Sequence, residues 1–414
     1  MAQDEGRAGA PVGIKLGVVS AIMAASLTTS ITVPPILPKM LDHYRDVPNA
    51  TFLVPLVVTL PFVVSVIIAP FVGALSDRID RRAIVIAASL FATLFGCAPY
   101  FLEALPAILI ARFLMGLATG TLLVCTSALI ADLFVGPGRQ RMLGLKYAAL
   151  GITHIAAFAV IGHLAETDWH NAFLIFLWGL VAAALTLAFI PRRPNVERGT
   201  AVAHAAPIPW RRLAPVFGGV LLGAMAFDVL LTGTPFLAIE RGLGGARMAG
   251  YLAAVASTGM LIGASLFPFI ARRIEGAALW IIIFAIAAAG YLLLAAAPSL
   301  PFMVAGILIV GAGCGMVQPN SLSILFGLVP VTARGRVAGI QTTCFFLGMA
   351  VGPLIGVTLG KALGSHAILF DGFGLVLVAI AAIYLLLLWR ERRSGPTPGE
   401  ATSSKPATSI SSIH

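Results

Sequence analysis

The sequence predicts an all-α integral membrane protein of twelve transmembrane helices in two six-helix bundles, and three observations lead there. Of the 414 residues 59% are hydrophobic and mean hydropathy is +0.99, well above the roughly 45 to 50% apolar content of soluble domains. Apolar runs of about 20 residues, the length a helix needs to cross a ~30 Å hydrocarbon core, recur along the whole chain. The chain also repeats itself at an offset of 195: Arg78-Ile79-Asp80 returns as Arg273-Ile274-Glu275, Gly116 and Gly120 as Gly311 and Gly315, and Arg139-x-Arg141-x-x-Gly144 as Arg334-x-Arg336-x-x-Gly339. Two halves of parallel orientation place a site at their interface near the bilayer midplane.

Residues 16–37 form the first span. It is too long for the apolar core of a signal peptide, and Pro34, Pro35 and Pro38 leave no small-residue cleavage site, so it is retained. Thr28, Thr29 and Ser30 precede the proline break, and serve either a polar cavity lining or internal helix packing. Spans 51–75 and 83–102 follow, with a charged loop between them. The fourth span, 105–134, holds Arg112 and ends near Asp132; the fifth, 144–166, holds Tyr147 and His154; the sixth is 170–190. The segment 191–212 is rich in Pro and Arg and reads as a cytoplasmic linker. Spans 213–238, 248–271, 277–297, 301–329, 337–362 and 367–389 form the second half. In the tenth, Gly311-Ala312-Gly313-Cys314-Gly315 contains GxG without a preceding strand, so it reads as small-residue helix packing and not as a dinucleotide loop. The organisation expected is an N-terminal bundle 1–190, a linker 191–212, a C-terminal bundle 213–393 and a disordered tail 394–414, rich in Ser, Thr, Pro and Gly.

Net charge is +10, which in a soluble chain would raise a nucleic-acid partner. In a membrane chain the placement of basic residues carries the information. With a cytoplasmic N-terminus, 21 Lys and Arg fall in the inner segments and five in the outer ones, and Arg112 alone lies well inside a span. The excess places both termini in the cytoplasm of a multi-pass inner-membrane protein and argues against nucleic acid as a partner. Cys97, Cys125, Cys314 and Cys344 lie inside apolar spans with no metal-binding spacing.

The loop Gly73-Ala74-Leu75-Ser76-Asp77-Arg78-Ile79-Asp80-Arg81-Arg82 carries five charges in ten residues. It resembles the signature between helices 2 and 3 of the major facilitator superfamily, G-x-L-[AS]-D-R-x-G-R-[RK], with Asp80 where the family usually has Gly. Arg112 with Gly116 and Gly120 resembles the helix 4 motif of its proton-coupled exporters. The fifth span lacks the Gly-Pro signature of the antiporters, while Gly352-Pro353-x-x-Gly356 stands in the eleventh. The resemblance implies the major facilitator fold and points to the drug/proton antiporter branch. It implies a gating set of Gly73, Asp77, Arg78, Arg81, Arg82 and Asp132, in which Asp77 docks on the start of the eleventh helix and Arg81 or Arg78 pairs with Asp132. The plainer alternative is a solvated turn whose arginines set topology.

Ionisable groups inside a membrane are functional candidates because their cost has to be offset by a partner or a wet cavity. Arg112 sits about seven residues into its helix, ~10 Å from the end at ~1.5 Å per residue, and either lines a cavity with Thr119 and Thr126 or snorkels to the headgroups. Asp228 is the one acid well inside a span. It can load and release a proton as its surroundings alternate, with Arg112 or His154 as electrostatic partner, or it is an acid held permanently by a neighbour. His154 shuttles protons or bonds another helix. The proton-coupling set is thus Asp228, Arg112 and His154, and the expected substrate cavity adds Thr119, Tyr147, Gln318 and Asn320.

These features predict a secondary active transporter working by alternating access, with proton-coupled export of a small hydrophobic or amphipathic compound as the first reading. A proton-coupled carrier of an organic anion or other metabolite is the second, favoured by Arg112 and His154. The chain has no GxxxxGK[ST] loop for ATP, and neither HExxH nor GxSxG for an intramembrane enzyme. A transporter-like receptor would need an added signalling domain. The partners expected are the small-molecule substrate, protons and the lipid bilayer, with the chain acting as a monomer and needing no cofactor or metal.

Overall fold

Proline and capping residues set where the helices of the first half begin. α1 (Val12–Leu27) leads through a 3₁₀ turn at Pro34–Ile36 into the short α2 (Leu37–His43), and α3 (Ala50–Ser76) returns. α4 (Arg81–Cys97) starts at Asp80, whose Oδ1 accepts the Arg82 backbone N–H at 3.0 Å. α5 (Leu105–Leu133) opens with Pro106 in its first turn, where the missing N–H is not needed. α6 (Gly136–Leu164) follows, and a 3₁₀ stretch at Trp169–Leu177, capped by Asp168, runs into α7 (Trp178–Phe189).

The second half comprises α8 (Trp210–Glu240), α9 (Ala246–Ala271), α10 (Gly276–Ala296), α11 (Leu300–Gly315), α12 (Val317–Leu328), α13 (Arg334–Pro353), a π-helical turn at Leu354–Leu359, α14 (Gly360–Ala362) and α15 (His366–Ser394). The expected tenth span is broken between α11 and α12 because Pro319 has no N–H and its ring displaces the carbonyl of Gly315. The structure, a computed structural model, describes residues 12–28, 33–76, 79–134, 136–191, 209–274, 276–330 and 334–394; the expected linker core and tail lie outside them.

Among the described residues no strand occurs, and ten helical segments are long and apolar enough to cross a membrane. Two shorter apolar stretches, Val12–Leu27 and Gly151–Leu164, stand where the first and fifth spans are expected. Large apolar side chains such as Ile67, Phe71, Phe113, Phe269 and Leu386 face outward, as in a bundle whose solvent is lipid. Cys97, Cys125 and Cys314 are buried and Cys344 is half-buried.

The repeated glycines have the same task in each half. Gly116 and Gly120 bring α5 against α3, where an added Cβ would lie 3.0 Å from backbone atoms of Pro61 and Ser65. Their counterparts Gly311 and Gly315 bring α11 against α9, where a Cβ would collide with the carbonyls of Ala256 and Met260. The offset seen in sequence is therefore a repeated close helix approach. Between the halves, α3 packs on α13 and α6 on α9.

With even numbers of crossings, both described ends lie on one side of the bundle, here the termini side. On the opposite side the halves are tied together. Arg247 at the start of α9 pairs with Glu166 just after α6, and Thr358 Oγ1 donates to Thr51 O at 3.2 Å. Within the first half, Lys39 Nζ donates to Ala165 O at 2.8 Å and Glu166 O at 2.6 Å, which satisfies the carbonyls just past the end of α6. Nearer the middle, Thr59 Oγ1 donates to Ala350 O at 2.8 Å and Phe62 stacks on Phe346 at 6.0 Å. Gly162 and Gly250 meet closely enough that a Cβ on Gly162 would lie 2.9 Å from Gly250 Cα.

Candidate functional site

On the termini side, the charged loop is anchored by its arginines. Arg81 Nη1 meets Asp132 Oδ2 at 2.6 Å and Ala128 O at 3.3 Å, tying the start of α4 to the end of α5. Arg82 Nη2 donates to Leu187 O at 2.6 Å, and its Nε to Thr186 O at 3.5 Å, so it caps the C-terminus of α7. Asp80 replaces the family glycine with another good N-cap residue. Asp77 and Arg78 lie outside the described residues, as does the side chain of Tyr147. Gly73 is in the last turns of α3.

Arg112 is fully buried and does not snorkel. Its Nε donates to Val57 O at 2.9 Å, Nη1 approaches Met115 Sδ at 2.8 Å, and the guanidinium lies 5.6 Å from the Phe176 ring. Of the two partners expected for Asp228, Arg112 or His154, Arg112 makes no ion pair with it among the described residues; it joins α5 to α3 and to the 3₁₀ stretch before α7. Thr119 Oγ1 donates to Thr28 O at 3.0 Å, at the end of α1, and to Met115 O at 3.1 Å. Thr126 bonds within α5.

Asp228 is 2% exposed in the middle of α8, and its Oδ2 has no hydrogen-bond partner among the described residues. It faces Gly352 of α13, where an added Cβ would come 3.1 Å from Oδ2 and nearer still to Asp228 Cβ. Gly348, Gly352 and Gly356 form a stripe against Leu221, Asp228 and Thr232 of α8, so the Gly-Pro motif seen in sequence seats the buried acid. His154 is on the buried side of α6, and its Nε2 also has no partner among the described residues. Gly162 opposite Gly250 and Gly151 beside Leu261 define an antiparallel register that puts His154 level with Thr258.

Gln318 and Asn320 part company at the break between α11 and α12. Gln318 Oε1 accepts from Gln341 Nε2 of α13, which also reaches Ser321 Oγ at 3.1 Å. Asn320 Nδ2 donates to Gly276 O at 3.2 Å, so this residue turns toward α10 and away from the expected cavity. Two positions on a helix two residues apart point about 200° apart, which is why both cannot line one face.

Sequence reasoning missed two polar groups. Gln341 is a neutral residue in an apolar span, and nothing in the sequence marks it. Lys146 looks like a loop cation beside Arg139 and Arg141, yet it is 7% exposed in α6 and its Nζ bonds Ser127 Oγ of α5. Its place inside the expected fifth span was the available signal. Among the described residues no group of His, Cys, Asp and Glu fit to hold a metal occurs.

Comparison with known proteins agrees with this geometry. The model of the Major Facilitator Superfamily matches residues 18–300 and 277–413. The MFS-type transporter YhhS of Escherichia coli (strain K12) is 28% identical over 376 residues, covering 84% of this chain and 86% of its own. A bacterial homologue of the human lysosomal transporter Spinster, solved in an inward-facing and occupied conformation, superposes with a TM-score of 0.73 at 14% identity, covering 93% of this chain and 98% of that one. A D-xylose-proton symporter gives a TM-score of 0.72 at 16% identity, with 90% and 96% covered. With the family model spanning nearly its full length, and with its paired bundles, repeated glycines and anchored loop, this chain is a multi-pass membrane transporter of the Major Facilitator Superfamily.

Proposed function

We propose that this transporter is a proton-coupled secondary carrier that exports a small amphipathic compound by alternating access. The observation that carries the reading is Asp228, a buried carboxyl with an unpartnered oxygen on α8, set against the glycine stripe of α13. Ionised, it would be a charge with no counter-ion among the described residues in a low-dielectric surrounding, which is costly. Neutralisation by a proton lets the site close, and exposure to water on either side lets the proton leave. Export is supported by the likeness of Arg112, Gly116 and Gly120 to the exporter motif. The chain acts as a monomer in a cell inner membrane, the termini side is cytoplasmic on the count of basic residues, and Asp77 and Arg81 belong to the gate on that side.

The test is substrate-dependent proton movement. Purified protein in liposomes loaded with a pH-sensitive dye is offered amphipathic organic compounds under an imposed pH gradient. Proton flux that appears only with a transported compound supports the reading. Transport that leaves internal pH unchanged rejects the coupling.

A further inference from the structure

Among the described residues two buried cations lie inside the first half, and they differ in how they are satisfied. Arg112 is held by Val57 O, Met115 Sδ and the Phe176 ring. Lys146, eleven residues into α6, has among the described residues one neutral partner, Ser127 Oγ. Ser127 in turn donates to Leu123 O at 3.0 Å, so its oxygen lone pairs face the ammonium. That hydroxyl positions the ammonium without neutralising it.

An ammonium has three donors, and Ser127 takes one. Among the described residues no carboxylate lies within ion-pair reach of Lys146; Asp132, five residues beyond Ser127, is engaged by Arg81. A cation so buried is sustained by an anion or a wet cavity. The exposed stripe of α6 runs through Leu145, Ile152 and Val160, and Lys146 and His154 lie off it. The deep acid, Asp228, belongs to the other half.

We infer that Lys146, positioned by Ser127, is an anion-binding subsite for the transported compound, resting on the transport reading above for the identity of that anion. One ammonium balances one negative charge, so the group that fits is a monoanion, of which we take the carboxylate, the common one in small organic acids. The amphipathic compound is then an organic acid whose carboxylate accepts the two remaining Lys146 donors between α5 and α6.

The test uses full-length protein with the four native cysteines replaced, in membranes exposing the termini side. Ser127→Cys puts a thiol beside Lys146. Its modification by anionic sulfonatoethyl methanethiosulfonate is compared with that by the cationic trimethylammonium analogue, each normalised to its rate with a free thiol. The anionic reagent is expected to react at least about tenfold faster, as in a cleft lined by one sign of charge. Lys146→Met should remove the preference and Lys146→Arg should keep it. Equal normalised rates, a preference for the cationic reagent, or no reaction with either overturns the subsite, as does a preference that survives Lys146→Met. Should Lys146→Met fail to fold, the Ser127→Cys protein and its Lys146→Arg partner still decide. Because Asp228 takes no part in this labelling, a retained preference with no substrate-dependent proton flux rejects the coupling and keeps the subsite, and the reverse result rejects the subsite alone.

Discussion

At the residue scale, Arg112, His154 and Asp228 could be read from sequence because each interrupts an apolar run. Their partners could not, since Val57 and Phe176 for Arg112, and Gly352 for Asp228, come from segments far along the chain. Asp228→Asn imitates the protonated carboxyl permanently. It should abolish transport driven by a pH gradient while exchange between equal substrate pools survives, measured in the same liposomes beside the wild type; full gradient-driven transport would move the proton site elsewhere. Arg112→Ala leaves the buried Val57 carbonyl without its donor, a loss of about 1 to 3 kcal/mol. A thermal melt in detergent should show that destabilisation whether or not substrate is present, as befits a group engaged within its own half. Lys146 was misread because its neighbours in sequence, Arg139 and Arg141, suggested a loop, and burial is decided by where α6 begins.

At the element scale, the spans were legible as apolar runs, and the break between α11 and α12 follows from Pro319 inside one of them, whereas which helices pack on one another was not legible, because those contacts join segments far apart in the chain. Gly120→Ala and Gly315→Ala should each cost about 1 to 3 kcal/mol by forcing packed helices apart, whereas Gly218→Ala, with nothing within 4 Å of its added carbon, should be neutral or stabilising. Melting of the three variants side by side checks this. Asp80→Ala removes the cap of α4 and should cost ~1 kcal/mol, while Asp80→Gly should cost only a few tenths, which is consistent with the family's usual glycine there. Asp168, in the loop before the 3₁₀ stretch, is pushed up by burial. The His170 backbone N–H, the His170 ring and the charges of His170 and Lys39 outweigh that and hold it below the usual carboxylate range. Its stabilisation is therefore fully present above the ordinary Asp range and fades as pH falls through its lowered folded value. The destabilisation by Asp168→Asn, read as a melting-temperature difference, should accordingly be seen at neutral pH and vanish in acid.

At the scale of the whole molecule, the contacts described between the halves sit in the middle and on the side opposite the termini, and the Glu166–Arg247 pair is half-exposed there. An exposed pair contributes about 0.2 to 1 kcal/mol, so Arg247→Gln should shift the opening equilibrium on that side by up to about fivefold. Spin-label distances between α6 and α9 would show it, and the charge swap Glu166→Arg with Arg247→Glu should restore the wild-type distribution. The pairing of α3 with α13 and of α6 with α9 has one more consequence. Under the 195-residue repeat, α3 corresponds to α9 and α6 to α13, so exchanging the halves maps one contact onto the other. Such a surface is self-complementary, the property of an isologous dimer. A half-length ancestor could have closed upon a second copy of itself before gene duplication joined the two, and chains severed between residues 192 and 208 should still find each other in the membrane.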